Sequence, residues 1–428
     1  MANMLSTFTG IGQMAWEDVA PRLSSRLRSV LERVLTSKSA ADLSPEDCLL
    51  LCEAEHDDLQ GLCVAANLLR RELAGDVITY VVNRNINFTN VCFVGCKFCA
   101  FSLGPRQPGT YFLTVEEVAE KTRQAHAMGA TEVCIQGGLP HGLPPYYYRD
   151  ILRAVKSAVP GMHAHAFSPM EVAYGMELTG LNCGDYLSML KENGLDTLPG
   201  TAAEILDDEI RHIVSRNKLT TAQWREIITT AHRLGIRTTS TLMYGHVEST
   251  RHWVAQLLML REIQNDTGGF TEFVPLGFVH QNTLLYLEGG ARPGPTLAEH
   301  MKIHALARVM LAGAINNIQV SWVKLSREIA QLCLEVGAND YGGTLIEENI
   351  SRLAGATSGQ HMAVEEFHAR IRQLGRTPAQ RNTAYTILQR TDIRSAAGIQ
   401  PAAGIPGVTD IPEMADIPGM KAATPMAG

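Results

Sequence analysis

The sequence predicts an α/β fold: a (βα)8 TIM-type barrel with an N-terminal helical extension and a disordered C-terminal tail. Three observations predict it. From Val77 onward, strand-like and helix-like segments alternate, as they do in βαβ units on a parallel sheet. The strand-like segments number eight, the count of a closed barrel. The alternating stretch covers roughly 270 residues, close to the usual size of that fold.

Residues 1–76 form the extension. Between about 15 and 75, Leu, Ala, Arg and Glu recur at helical spacing, and Leu43-Ser44-Pro45-Glu46 reads as an N-cap serine with proline at the first helical position. Residues 77–350 form the barrel, with strands at 78–82, 132–136, 162–167, 196–198, 237–243, 271–276, 317–322 and 338–341. Helices fit between them at 115–128, 147–159, 183–193, 221–234, 251–266, 296–312 and 323–336, with another beginning near Thr344. Residues 351–393 read as a helical segment closing the barrel. Residues 394–428 are a Pro, Gly, Ala and Met tail with the echo Gly404-Ile405-Pro406-Gly407 and Ile417-Pro418-Gly419. Such a tail cannot bury enough apolar surface to offset its ordering entropy.

Composition narrows the function classes. Hydrophobic residues make up 45% and charged residues 19%, enough to bury a substantial core. Lys and Arg number 37 against 44 Asp and Glu, a net charge of −7, and no basic run would track a phosphate backbone, so no nucleic acid partner is expected. The N-terminus lacks a basic segment followed by a continuous apolar one, and no later apolar stretch is long enough to span a membrane. A cytoplasmic protein without a membrane partner is expected. Nine cysteines, an odd count, argue against a disulfide framework and toward metal or reactive thiols.

Three of those nine sit within eight residues, in Val91-Cys92-Phe93-Val94-Gly95-Cys96-Lys97-Phe98-Cys99, just past the first predicted strand. The spacing is CxxxCxxC. Thiolates hold cluster iron, and Gly95 permits the sharp turn that lets one loop wrap a cube. Three local ligands for four irons leave one iron open, as a catalytic site requires. A zinc site would need a fourth Cys or His at suitable spacing, and the next cysteine, Cys134, lies inside a predicted strand. An electron-transfer ferredoxin would supply four local cysteines on a smaller fold. Phe93, Phe98 and Phe101 would form an apolar shell that limits solvent. Cys48, Cys63, Cys183 and Cys333 are scattered and read as buried small hydrophobes.

CxxxCxxC with an aromatic residue before the last cysteine, at the end of the first strand of a βα barrel, resembles the radical S-adenosylmethionine (radical-SAM) superfamily. The resemblance implies a [4Fe-4S] cluster on Cys92, Cys96 and Cys99, with S-adenosyl-L-methionine on the open iron. It also implies that Gln136-Gly137-Gly138, closing the second strand, supports the cosubstrate's amino group; taken alone, a Gly-Gly pair is more often just a turn. Ser168 and Glu171, at the end of the third strand, are candidates to accept from ribose hydroxyls. Glu204 is another, although an exposed glutamate at a helix start is its default reading.

His163 and His165 stand two apart on one strand and share a face, either lining a polar lumen or satisfied within the core. Strand five ends in Tyr244-Gly245-His246, and strand eight runs into Asn339-Asp340-Tyr341-Gly342-Gly343-Thr344. Both are polar and Gly-rich where substrate loops belong, so Tyr244, His246 and Asp340 are candidate catalytic residues.

The runs 83–101, 129–138, 163–171, 195–209, 240–246, 270–278, 319–324 and 337–348 together resemble the tyrosine 4-hydroxyphenyl transferase subunit of deazaflavin-chromophore synthase. That resemblance implies cleavage of the Cα–Cβ bond of L-tyrosine and transfer of a 4-hydroxybenzyl group to 5-amino-6-(D-ribitylamino)uracil. The by-products would be 2-iminoacetate, methionine and 5'-deoxyadenosine. It further implies an electron donor and a second radical-SAM subunit that completes the deazaflavin ring. The menaquinone-pathway futalosine enzymes are similar more distantly and stand as the alternative within enzymes. An iron–sulfur electron carrier or a zinc scaffold is the alternative outside them.

Overall fold

The computed structural model describes residues 8–391. The expected disordered tail over 394–428 lies outside the described residues. The barrel strands follow in chain order: β1 (Val77–Val81), β2 (Asn83–Ile86), β3 (Glu132–Ile135), β4 (His163–Ala166), β5 (Thr197–Leu198), β6 (Arg237–Tyr244), β7 (Phe270–Gly277) and β8 (Asp340–Gly343). Two further strands, β9 (Thr377–Arg381) and β10 (Ile387–Arg390), come after them. Strands β2 to β7 form one parallel sheet in sequence order, and β1 lies between β8 and β9 in a second. Single parallel bridges connect the two: Phe273 to Ile318, Gln319 to Asp340, and Arg84 to Ile346. Since β1 and β2 are one run interrupted at Val82, these bridges close the wall into a TIM-type barrel.

The seventh wall position is the weakest. An extended segment over 317–322 was expected, but only Ile318 and Gln319 pair with neighbours before a 3-10 turn at Trp322–Lys324. Side chains hold the gap. The buried Trp322 donates its indole N–H to Gly343 O at 2.9 Å, and the buried Arg308 donates to Gly337 O and Asn316 O, each at 2.7 Å. A paired buried guanidinium can replace ladder hydrogen bonds in satisfying these carbonyls.

The helices begin where the sequence supplies caps. Thr114 with Glu117, Ser168 with Glu171, Thr220 with Gln223, and Thr296 with Glu299 each form a capping box. In the extension, Ser44 caps the helix Pro45–Cys52, with Asp47 completing the box. The extension's longest helix, His56–Ala74, packs on the helix Leu297–Met310. Strand residues alternate as period two demands: Val133, Ile135, Ala164 and Ala166 are fully buried beneath the helices. Glu132, Cys134 and His165 face the lumen instead. Among the described residues no helix is long and apolar enough to cross a membrane.

Helices at Ile350–Ala354 and Val364–Gln373 occupy part of the stretch 351–393, but the chain then turns into the antiparallel hairpin β9–β10, which the sequence reading took as helical. The reason lies in β1. Strand β3 pairs with β2 and leaves one edge of β1 open, and β9 fills that edge in parallel register from Val77–Thr377 to Tyr80–Gln380.

Candidate active site

The cysteine loop leaves β2 and is pinned on several sides. Gly95 takes a left-handed φ of 71°, which glycine adopts without strain. Cys92 N–H donates to Leu103 O at 3.1 Å, Phe93 N–H to Leu139 O at 3.0 Å, and Lys97 N–H to Val214 O at 2.9 Å. Against this loop lies the end of β3. A Cβ on Gly138 would stand 2.2 Å from Val91 O and 3.1 Å from Cys92 Cβ, and one on Gly137 would stand 2.5 Å from Phe88. Only a glycine pair lets the two segments meet so closely.

Glu171 ties this turn down. Its carboxylate accepts from Gly137 N–H at 3.0 Å, Ser168 N–H at 2.6 Å and the Ser168 hydroxyl at 2.7 Å. Burial pushes its carboxyl up to about 7, while those hydrogen bonds and Lys218 pull the other way. Gln136 donates its amide to the Thr201 hydroxyl at 3.0 Å. Glu204 is not an exposed residue at a helix start: it is 7% exposed, in a loop with φ 39°, and accepts from Lys218 Nζ at 2.6 Å. Its other carboxylate oxygen has no hydrogen-bond partner and lies 3.7 Å from Arg211.

One cavity of about 420 Å³ gathers these groups: Cys92, Cys96, Cys99, Gln136, Gly137, Gly138, Ser168, Glu171 and Glu204 all line it. The thiols are half-buried. Burial pushes Cys96 up to about 12, opposed by Lys218, and raises Cys99 as well, so both hold their protons until a metal displaces them. Among the described residues no three His, Cys, Asp or Glu side chains converge on a point as ligands of one ion would. Three thiols on one glycine-turned loop at one end of the cavity fit a cube, where each thiolate caps a different iron. Lys218 Nζ sits 5.1 Å from the centre of the Phe98 ring, and Phe93 stacks on His141 at 4.4 Å, giving the expected apolar flank.

The proposed catalytic trio stands elsewhere. Tyr244 is fully buried, with its hydroxyl on His300 Nδ1 at 2.7 Å. His246 is buried against Glu248 at 3.3 Å and Met243 O at 3.0 Å. Asp340 is fully buried and ion-paired to Arg381. None of the three lines the cavity.

Sequence reasoning missed the cavity's far end. Asn83, Glu132 and His163 are register partners at the N-terminal ends of their strands, opposite the cysteine loop, and Asn85, Cys134 and His165 form the level two residues further on, beneath Gln136. His165 lines the cavity, which settles its face as luminal, and burial holds it down to about 4, so it is neutral. Asn83 Nδ2 donates to Glu132 at 3.1 Å and Gln319 Nε2 to Glu272 at 3.0 Å. From below, the hairpin inserts Arg381, which binds Asp340 at 3.0 Å and Glu272 at 3.2 Å. Beside it, Thr383 donates to Glu132 and Tyr385 to Glu272. The signal available in the sequence was a polar residue at every second strand position, noticed only for the two histidines.

Residues 86–259 match the radical SAM superfamily, and residues 267–393 match the CofH/MqnC C-terminal region. The chain is 51% identical over 382 residues to the FO synthase of Mycobacterium tuberculosis strain H37Rv, a match covering 87% of this chain and 45% of that protein. It thus spans about half the length of the FO synthases it matches. It is 50% identical over 351 residues to the 5-amino-6-(D-ribitylamino)uracil–L-tyrosine 4-hydroxyphenyl transferase of Methanocaldococcus jannaschii, covering 81% of this chain and 98% of that one. Among solved structures, methylornithine synthase (PylB) shares the fold with a TM-score of 0.62 at 20% identity, over 82% of this chain and 97% of that one. The chain accordingly belongs to the radical S-adenosylmethionine superfamily and, within it, to the family of the tyrosine 4-hydroxyphenyl transferases.

Proposed function

We propose that this chain cleaves the Cα–Cβ bond of L-tyrosine and transfers the 4-hydroxybenzyl group to 5-amino-6-(D-ribitylamino)uracil, releasing 2-iminoacetate, methionine and 5'-deoxyadenosine. The observation that carries this reading is the 50% identity sustained over 98% of the M. jannaschii transferase. Its cysteine loop, glycine pair and capping glutamate surround one cavity, which is what such chemistry needs.

Cys92, Cys96 and Cys99 would hold the [4Fe-4S] cluster, and Gln136, Gly137 and Gly138 would border its S-adenosyl-L-methionine. When bound, those groups would supply the radical chemistry that removes hydrogen from tyrosine. The chain contributes the rest. Glu171 fixes the turn that bounds the cosubstrate, and Ser168 and Glu204 offer oxygens to its polar parts. Phe93, Phe98 and Phe101 keep water from the cluster end, where a radical would otherwise be quenched. The barrel holds the two substrates in line, so that the fragment is captured after a short movement.

An external electron donor is required. The reading also calls for a second radical-SAM subunit that closes the deazaflavin ring in a separate step. Anaerobic reduced enzyme given S-adenosyl-L-methionine, tyrosine and the diaminouracil should form the benzylated adduct with matching 5'-deoxyadenosine, and omission of the uracil should abolish the adduct. Turnover of a futalosine precursor with no adduct would place the chain among the futalosine enzymes instead. Metal binding without 5'-deoxyadenosine would make it a carrier or scaffold.

A further inference from the structure

The cavity has two chemically different ends. At the cluster end stand the thiols, the apolar rings and the lysines Lys218 and Lys324. Lys324 donates to the Ser351 hydroxyl at 3.0 Å and makes no ion pair within 4.0 Å among the described residues. At the floor and on the level directly above it stand Asn85, Glu132, His165, Gln319, Arg381 and Thr383, drawn from strands far apart in sequence and from the hairpin below. Polar side chains at the bottom of a barrel can serve folding alone. Here, however, they line one open cavity, and the half-buried Asn85 carries an enclosed side-chain oxygen with no hydrogen-bond partner in the protein. A buried amide oxygen without a partner is costly, so the amide gains by turning toward a donor that a ligand brings into the cavity.

The charge of the floor selects the ligand. Its one cation, Arg381, is spent on Asp340 and Glu272. A substrate carboxylate there would meet Glu132 and Glu272 with no free positive charge, and so would be repelled. A neutral polyhydroxylated chain is suited instead. Each hydroxyl both donates and accepts, and the floor offers carboxylate and amide oxygens beside amide and imidazole nitrogens. Tyrosine, which carries a carboxylate, belongs nearer the lysines.

We propose that the floor is the acceptor subsite, where Asn85, Glu132, His165 and Gln319 hold the ribityl chain of the diaminouracil, with Thr383 positioning Glu132 from the hairpin. This rests on the transferase reading and extends it. The uracil ring then points up the lumen, presenting its carbon to the fragment released at the cluster end. The segment after the radical-SAM core, which carries Glu272, Gln319, Arg381 and Thr383, thereby shares in setting acceptor specificity.

The test is anaerobic calorimetry on reconstituted enzyme with S-adenosyl-L-methionine, titrated with the diaminouracil and with an analogue bearing methyl in place of ribityl. Asn85→Leu and Thr383→Val should each weaken the parent compound tenfold or more. Both should leave the methyl analogue and tyrosine within about twofold of wild type, because the lost contact and the lost chain are the same interaction. Either variant suffices should the other fail to fold. Equal weakening of parent and analogue, no weakening of either, or weakening of tyrosine alone would overturn the proposal. Wild-type enzyme that makes adduct while its variants behave in one of those ways leaves the transferase reading intact. Wild-type enzyme with no affinity for the diaminouracil removes both.

Discussion

The two ends of the cavity are built by different means. The cluster end comes from one short loop, Cys92 to Cys99, whose shape depends on Gly95 and on the glycine pair that packs against it. The floor takes single residues from several strands and holds them to a hairpin that arrives some 300 residues after β1. Local chemistry fixes the first; long-range ion pairing fixes the second. They should therefore fail differently. Damage to the loop should cost the cluster and spare the fold, whereas loss of the ion pairs at Arg381 should cost stability first.

The largest expected effect is at the loop. Cys92→Ala, Cys96→Ala or Cys99→Ala should each abolish the [4Fe-4S] absorbance and 5'-deoxyadenosine formation, since no neighbouring thiol can take over the bond. Cys63→Ala and Cys333→Ala, far from the loop in the buried core, should keep both. A normal cluster spectrum in any of the first three would break the assignment.

At the floor, Arg381→Met should cost about 3–5 kcal/mol, because Asp340 and Glu272 stay buried without their counter-ion. Urea unfolding reads this directly. A loss below about 1 kcal/mol would mean that the hairpin does not hold the barrel shut. Intermediate in size is Glu171→Gln, which keeps only one acceptor oxygen for Gly137 N–H and Ser168. It should lower 5'-deoxyadenosine formation about 10- to 100-fold, as loss of a positioning partner does at other metal sites. It should also raise the half-saturating S-adenosyl-L-methionine concentration while leaving the cluster spectrum unchanged.

The smallest effect is a pH dependence. Burial holds His165 at about 4, below its ordinary 6.5, so the unfolded chain binds its proton first. The stability it contributes is complete above about pH 6.5 and is lost as pH falls toward 4. His165→Asn should lose less stability over that window, by on the order of 1–3 kcal/mol. Parallel curves for variant and wild type would show that the ring is already charged in the fold.

The same contrast explains what the sequence made legible. CxxxCxxC and Gln136-Gly137-Gly138 are contiguous, so the cysteine spacing pointed to a cluster and the family resemblance gave the glycine pair its role. The capping serines and threonines likewise announce their helices. The burial of Glu204 was not legible because nothing local shows that Lys218 and Arg211 fold over it. Tyr244 ends β6 and His246 follows it, where barrel logic places function, and Asp340 opens β8; yet His300 and Arg381 take up the polar atoms of Tyr244 and Asp340, and His246 is enclosed against Glu248 and Met243 O. Strand β9 was invisible because its partner edge on β1 exists only once β3 has paired with β2.

The central claim is that one cavity breaks tyrosine between Cα and Cβ and passes only the benzyl part to the uracil. Tyrosine labelled with carbon-13 at Cβ, then separately at Cα, tests it most directly. The account predicts that the Cβ label appears in the benzylated uracil and the Cα label in glyoxylate, the hydrolysis product of 2-iminoacetate. Recovery of both labels in one product, or of neither in the adduct, would contradict it.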